Sequence, residues 1–300
     1  DNRLLSGDLD VDVVGDGVGR AAQGRILADQ ALKAQTDNPV TTRHWFSAIS
    51  ASVAPLDNIH CRKAVEYAVD RTGYQRAYGG SVGGDIATNL MPPVIAGAES
   101  FDTYPSPGNT GDLAKAKDEL TQCGQPNGFA TNISYRAERP AEKATAEAFQ
   151  QSLARAGIKL TIKPYPQSDY FKLYAGKPDF VKANNLGIMV YGWAADWPDG
   201  FGFLAQLVDS RTIRATGGNT NLGVVDPEVD AMLDKAGETT DKAAREQIYV
   251  DIDKKVMDDA YYIPGVWSKG LFYRPKNLTN VFITDGFSEY DYLALGTTRK

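Results

Sequence analysis

The alternation of apolar and polar positions divides the chain into short elements of both kinds. Residues 9–14, LDVDVV, alternate as a half-buried strand does, and a helical stretch over 25–34 follows a glycine-rich link. Over 57–70 the residues Ala64, Val65, Ala68 and Val69 form one apolar stripe of a helix, with Asp57 set to cap its first turn. Residues 79–110, punctuated by paired glycines and by PP at 92–93, read as a long irregular region of the kind that often carries function. A short helix over 112–123 ends at Gly124. The clearest signal follows. A strand at 132–137 leads through Pro140 into a helix over 141–156, with Ala144, Ala148, Phe149 and Leu153 on one face and Gly157 at its end. Ile158, Leu160 and Ile162 then alternate with Lys159, Thr161 and Lys163. Strand, helix and strand with short links make a crossover, which predicts two parallel strands in one sheet. A more apolar strand at 186–191 lies between helices at 168–175 and 201–208; helices at 227–236 and 241–257 and strands at 261–266, 271–273 and 281–284 complete an α/β pattern.

Composition narrows the class. The 300 residues are 42% hydrophobic and 23% charged, enough for a folded chain of roughly two domains. A net charge of -6 argues against nucleic-acid binding, which needs a basic face. The longest apolar run, at 186–195, is shorter than the roughly 18 residues of a membrane span, and the DNR opening is not a basic-then-apolar leader. His44 and His60 are the only histidines, and neither they nor the two cysteines form an HExxH, HxxxH or CxxC motif, so no metal or cofactor is expected. Cys61 and Cys123 leave two readings open: one disulfide, or two buried thiols.

Two segments carry candidate chemistry. GVGRAA at 17–22 fits the GxGxxA dinucleotide fingerprint, but that motif needs a second strand ending in an acid about 20 residues on. The chain instead reads QTDNPV around Asp37, a turn, so the glycines are read as a connecting loop. The second segment, YGWAADWPDGF at 191–201, directly follows the apolar strand, where open α/β sheets gather ligands. Tyr191, Trp193 and Trp197 supply apolar walls, and Asp196 supplies a fixed charge suited to an ammonium group. The plain alternative is a turn built on Asp, Pro and Gly. A third is an acid–base pair of a glycoside hydrolase, Asp196 with Asp199, although residues three apart in one loop seldom reach opposite faces of a sugar. The cluster at 261–267 reads as core or interface.

Several segments, taken in order, resemble one family. DNIHCRKAVEYAVDR at 57–71 is similar to the RkAvsyAiDR helix of extracellular solute-binding proteins of the dipeptide/oligopeptide/nickel class. Gly157 and Ile158 resemble its kaGIkv step, GWAADW at 192–197 its gWcaDypdp ligand loop, NTN at 219–221 with DPEVD at 226–230 its nn…npevDkll segment, and YIP at 262–264 its aPviPl strand. LLSGDLD at 4–10 is similar to llsGeiDv, a step found mid-chain in those proteins. The resemblance implies a periplasmic-binding-protein-like lobe, a mixed sheet flanked by helices, plus partial segments of the other lobe. It places the end of lobe I and the approach to the hinge at 1–41, lobe II at 42–266 and a return segment at 267–300. It further implies a C-terminal fragment of a non-enzymatic, exported, lipid-anchored and monomeric component of an ABC importer. Such a component closes two lobes on an oligopeptide and delivers it to the permease; an oligosaccharide or a nickel chelate is the alternative cargo. Carried over by motif, Asp196 holds the ligand's α-ammonium and Trp193 packs the peptide, with Tyr191, Trp197 and Asn221 completing the set. Ala194 stands where the family has cysteine, and Trp197 follows the aspartate. Export also favours a disulfide between Cys61 and Cys123.

Overall fold

The computed structural model describes residues 1–13, 17–284 and 286–299. Its centre is a six-stranded sheet. In chain order the strands are β1 (Val40–Ile49), β2 (Gly84–Ile86), β3 (Ala130–Arg136), β4 (Lys159–Tyr165), β5 (Leu186–Ala194) and β6 (Tyr262–Lys269), arranged in space as β2-β6-β1-β5-β3-β4. β3 runs parallel to both β4 and β5, as the crossover predicts, whereas β1 is antiparallel to β5 and β6. The carboxyl ends of β3, β4, β5 and β6 therefore meet the amino end of β1 along one rim of the sheet.

Helices cover both faces, which is why β5 reads as an unbroken apolar run rather than an alternation. On one face α1 (Ile59–Ala68), α2 (Arg71–Ala77), α3 (Leu113–Gln122) and α4 (Pro140–Ala154) pack Val65, Tyr74, Leu120 and Phe149 over Ile188 and Val190. On the other, α5 (Gly200–Val208), α6 (Pro227–Glu238) and α7 (Lys242–Asp258) pack Leu204, Leu233 and Ile252 over Phe46, Met189 and Tyr191. Gly157 ends the crossover helix at φ +92, where a Cβ would stand 2.9 Å from the Asn127 carbonyl oxygen. A side chain there would meet backbone, which accounts for the glycine. Cys61 and Cys123 are joined as a disulfide that ties α1 to the end of α3.

Several expectations are corrected. The cap of α1 is Asn58, whose side chain accepts from the His60 amide, and not Asp57. Residues 9–13 form no strand, and Val14 lies outside the described residues, as do Gly15 and Asp16 of the glycine-rich link. Without that strand the dinucleotide fingerprint has no context. Gly17 is instead a point of close approach: at φ +72, a Cβ would lie 2.7 Å from the Leu271 carbonyl oxygen. The expected helix at 168–175 is a single π-turn, Tyr170–Tyr174, and the expected strand at 281–284 is reduced to an isolated bridge between Ile283 and Tyr290, beside a short pair between Leu278–Thr279 and Gly296–Thr297.

β1 is the strand that periodicity missed. Its polar His44 is fully buried, with Nδ1 bonded to the Leu90 carbonyl at 2.7 Å and Nε2 accepting from the Gly265 amide. Those two bonds fix a neutral imidazole, and burial pushes its pKa down to about 3. The irregular region supplies the edge strand β2 and then crosses α7. There the Asp253 carboxylate accepts from the Leu90 and Met91 amides and from Asn89 Nδ2, and burial raises its pKa to about 6. Beyond the rim, residues 1–13, 17–37, 271–284 and 286–299 share a small separate core of Leu4, Val18, Ile26, Leu271 and Tyr273. Among the described residues, no helix is long and apolar enough to cross a membrane.

Candidate ligand site

The aromatic and acidic loop leaves β5 at the rim. Trp193 is directly opposite His44 of β1, so it shares the face that carries Phe46 and Tyr191; its ring is half-buried and its Nε1 has no hydrogen-bond partner. After Ala194 the chain turns. Asp196 is exposed, its amide donates to the Gly202 carbonyl, and its carboxylate makes no ion pair with any described residue. Trp197 is 48% exposed and stacks on Phe201 with centroids 6.1 Å apart. Its Nε1 donates to Asp199 at 3.1 Å. Asp199 in turn accepts from the Gly202 amide and caps α5. That carboxylate is engaged in holding the helix start, which leaves Asp196 without the second acid a glycoside hydrolase would need.

Two of the expected site residues stand elsewhere. Tyr191 is fully buried, and its hydroxyl donates to the Thr220 carbonyl at 2.9 Å. Its ring packs edge-on against Phe46 in the core, so Tyr191 presents nothing to a ligand. Asn221 is also buried. Its amide nitrogen donates to the Asp209 and Val224 carbonyls, and its oxygen accepts from the Gly223 and Val224 amides. All of its bonding capacity is spent in folding residues 209–224, so the structure removes it from the ligand-facing set.

Residues that the sequence did not single out fill the rim beside the loop. A cavity of about 510 Å³ is lined by Arg20, Trp45, Tyr78, Glu138, Arg139 and Gln167, among others. Trp45 lies opposite Gly192, and the Arg139 guanidinium stands 5.6 Å from its ring centroid. Burial, with Arg136 close by, pushes Arg139 below its ordinary pKa, and Glu142 works against this. Beneath the cavity Arg136 and Glu142 form a buried ion pair, in which Arg136 Nε donates to Glu142 Oε1 at 2.8 Å and the Arg136 amide to Oε2 at 3.0 Å. Arg139 sits just beyond the carboxyl end of β3 and directly before Pro140. The rule that ligands collect beyond strand ends would have found it once β3 was placed. The rim thus carries an exposed carboxylate in a loop with two indoles and, beyond β5, a guanidinium over a third indole.

Comparisons agree with this architecture. Residues 1–214 match the family model described as bacterial extracellular solute-binding proteins, family 5 Middle. Heme-binding protein A of Haemophilus influenzae is 32% identical over 233 residues, 75% of this chain and 39% of that protein. Glutathione-binding protein GsiB of Escherichia coli is 28% identical over 249 residues, 82% of this chain and 47% of that protein. Among solved structures, clavulanic acid biosynthesis oligopeptide binding protein 2 is 41% identical and superposes with a TM-score of 0.93, covering 99% of this chain and 54% of that one. A dipeptide binding protein from Pseudoalteromonas in complex with Met-Leu shares the fold at a TM-score of 0.70 and 22% identity, with 99% of this chain and 55% of that one covered. The chain spans about half the length, or less, of the curated relatives it matches. With the family model covering most of its residues, the chain belongs to the family 5 bacterial extracellular solute-binding proteins.

Proposed function

We propose that this chain supplies one ligand-gripping lobe, and part of the second, of a binding protein that captures a free-amine peptide and passes it to an ABC permease. The observation that carries this reading is Asp196. It is an exposed carboxylate on the sheet rim, unpaired with any described cation and flanked by Trp193 and Trp197. A peptide ammonium docked there would gain charge-assisted hydrogen bonds, about 1.5–3 kcal/mol, with indole faces adding cation–π attraction. Closure of a second lobe over the rim would exclude water and strengthen these contacts.

The names of the relatives, which include glutathione-, dipeptide- and oligopeptide-binding proteins, support a peptide-like cargo. The disulfide supports work outside the cytoplasm, where such bonds persist. The proposal extends to a monomeric carrier tethered to the cell surface by lipid, with no turnover of its ligand. One observation favours the alternative cargo: the exposed stack of Trp197 on Phe201 is a flat platform of the kind that sugars use. A thermal-shift panel on the intact protein separates the two. Short free-amine peptides are expected to raise the melting temperature and oligosaccharides to leave it unchanged; the reverse result would reassign the cargo.

A further inference from the structure

Two cavities open side by side along the rim, and one indole divides them. The larger, about 510 Å³, holds Arg139 and Glu138; the smaller, about 240 Å³, is lined by Arg43, Ala194, Phe287 and Glu289. They share Trp45, Ser268 and Lys269. Ser268 is small, and Lys269 is drawn aside to Asp85 at 2.5 Å. Trp45 is the large ring between the two spaces.

That ring is held from several sides. Tyr78 stacks on it with centroids 5.2 Å apart and planes 24° from parallel. The guanidinium carbons of Arg43 and Arg139 stand 5.2 Å and 5.6 Å from its centroid. Gly192, opposite on β5, leaves it room: a Cβ there would lie 2.4 Å from Trp45 Cε3. A ring gripped in this way is a fixed wall and not a side chain that swings to fit its ligand.

We propose that Trp45 is a specificity-determining partition of the ligand cleft, confining a bound peptide to one compartment and so setting its length. This rests on the peptide-binding reading above. An extended peptide advances about 3.3–3.6 Å per residue, so a chain running along the rim meets the indole after a small number of residues. Removing the ring joins the two spaces into one trough with charged groups at both ends.

The test is calorimetric titration of the intact protein with free-amine peptides from dipeptide to hexapeptide, comparing wild type with Trp45→Ala and Trp45→Phe. Trp45→Ala should move the best-bound length upward and change the ratio of long- to short-peptide affinity by about tenfold or more, whereas Trp45→Phe keeps the wild-type preference. Trp45→Leu, which keeps an apolar residue at the strand position, gives the same readout if the alanine variant does not fold. An unchanged length preference, or an equal loss at every length, overturns the partition and leaves Trp45 as structural support. Failure of the wild type to bind any member of the series overturns the peptide reading itself, a different result from either of those.

Discussion

Reducing the disulfide tests how the first face of the fold is held. Cys61 and Cys123 are 62 residues apart in sequence and tie α1 to its neighbour α3. Closing a loop of that length removes about 14 cal/mol/K from the unfolded chain, about 4 kcal/mol at 25 °C in the chain-entropy treatment. With about 2.1 cal/mol/K of unfolding entropy per residue, a 300-residue cooperative unit would melt about 6 °C lower without the bond. Cys61 is fully buried, so replacing it by alanine would add a cavity cost to the loss of the cross-link. Reduction of the wild-type protein avoids this, because both sulfurs stay in place. Urea unfolding of oxidised and reduced protein, each followed by far-UV circular dichroism, gives the difference directly. A loss near 3–5 kcal/mol fits the reasoning. A loss below about 1 kcal/mol would mean that packing of α1 and α3 alone restrains the unfolded chain, and the entropic argument would fail.

Other consequences follow from individual side chains. Glu66 on α1 is buried with neither carboxylate oxygen bonded, and burial pushes its pKa well above the ordinary value, Asp102 adding to the effect and Arg71 opposing it. Its folded state therefore holds a proton that the unfolded chain releases, so stability is present at acid pH and is lost as pH rises from the ordinary carboxyl range toward the folded value. Glu66→Gln should be near neutral at pH 4 and stabilising by more than about 1 kcal/mol at pH 8; equal effects at both would refute the assignment. Tyr191→Phe should cost about 1 kcal/mol of stability for the lost bond to Thr220 and leave ligand affinity unchanged, while Trp197→Ala should do the reverse. A titration in which Tyr191→Phe weakens binding tenfold would return that residue to the site. Gly192→Ala drives a methyl against Trp45 and the His44 carbonyl oxygen, and should destabilise by about 1–3 kcal/mol in chemical denaturation; a neutral effect would show the ring to be mobile.

The crossover unit from β3 to β4 was legible because every signal in it is local: Pro140 at the helix start, Gly157 at its end and alternation along β4. β1 was not, because VTTRHWFSAI mixes polar and apolar residues and its His44 is satisfied only by Leu90 and Gly265, far away in sequence. The position of the loop at 192–197 was legible from the apolar strand before it, and Trp193, Asp196 and Trp197 do stand at the rim. Tyr191 shares the face of Trp193 but lies two residues deeper along β5, under the packed helices, and adjacency to the loop in sequence does not show that depth. Asn221 belonged to a motif whose asparagines fold a loop, which sequence similarity alone does not separate from a ligand contact. Trp45 carried no motif. Its importance appears only when register sets it across from Gly192.

The central claim is that the Asp196 carboxylate grips a ligand amine. The most direct measurement is calorimetric affinity of the intact protein, wild type and Asp196→Asn, for one short peptide and for the same peptide with its amine acetylated. The account predicts a loss of about 10- to 100-fold for the free-amine peptide upon substitution and little change for the acetylated one. Equal losses for both peptides, or none for either, would contradict it.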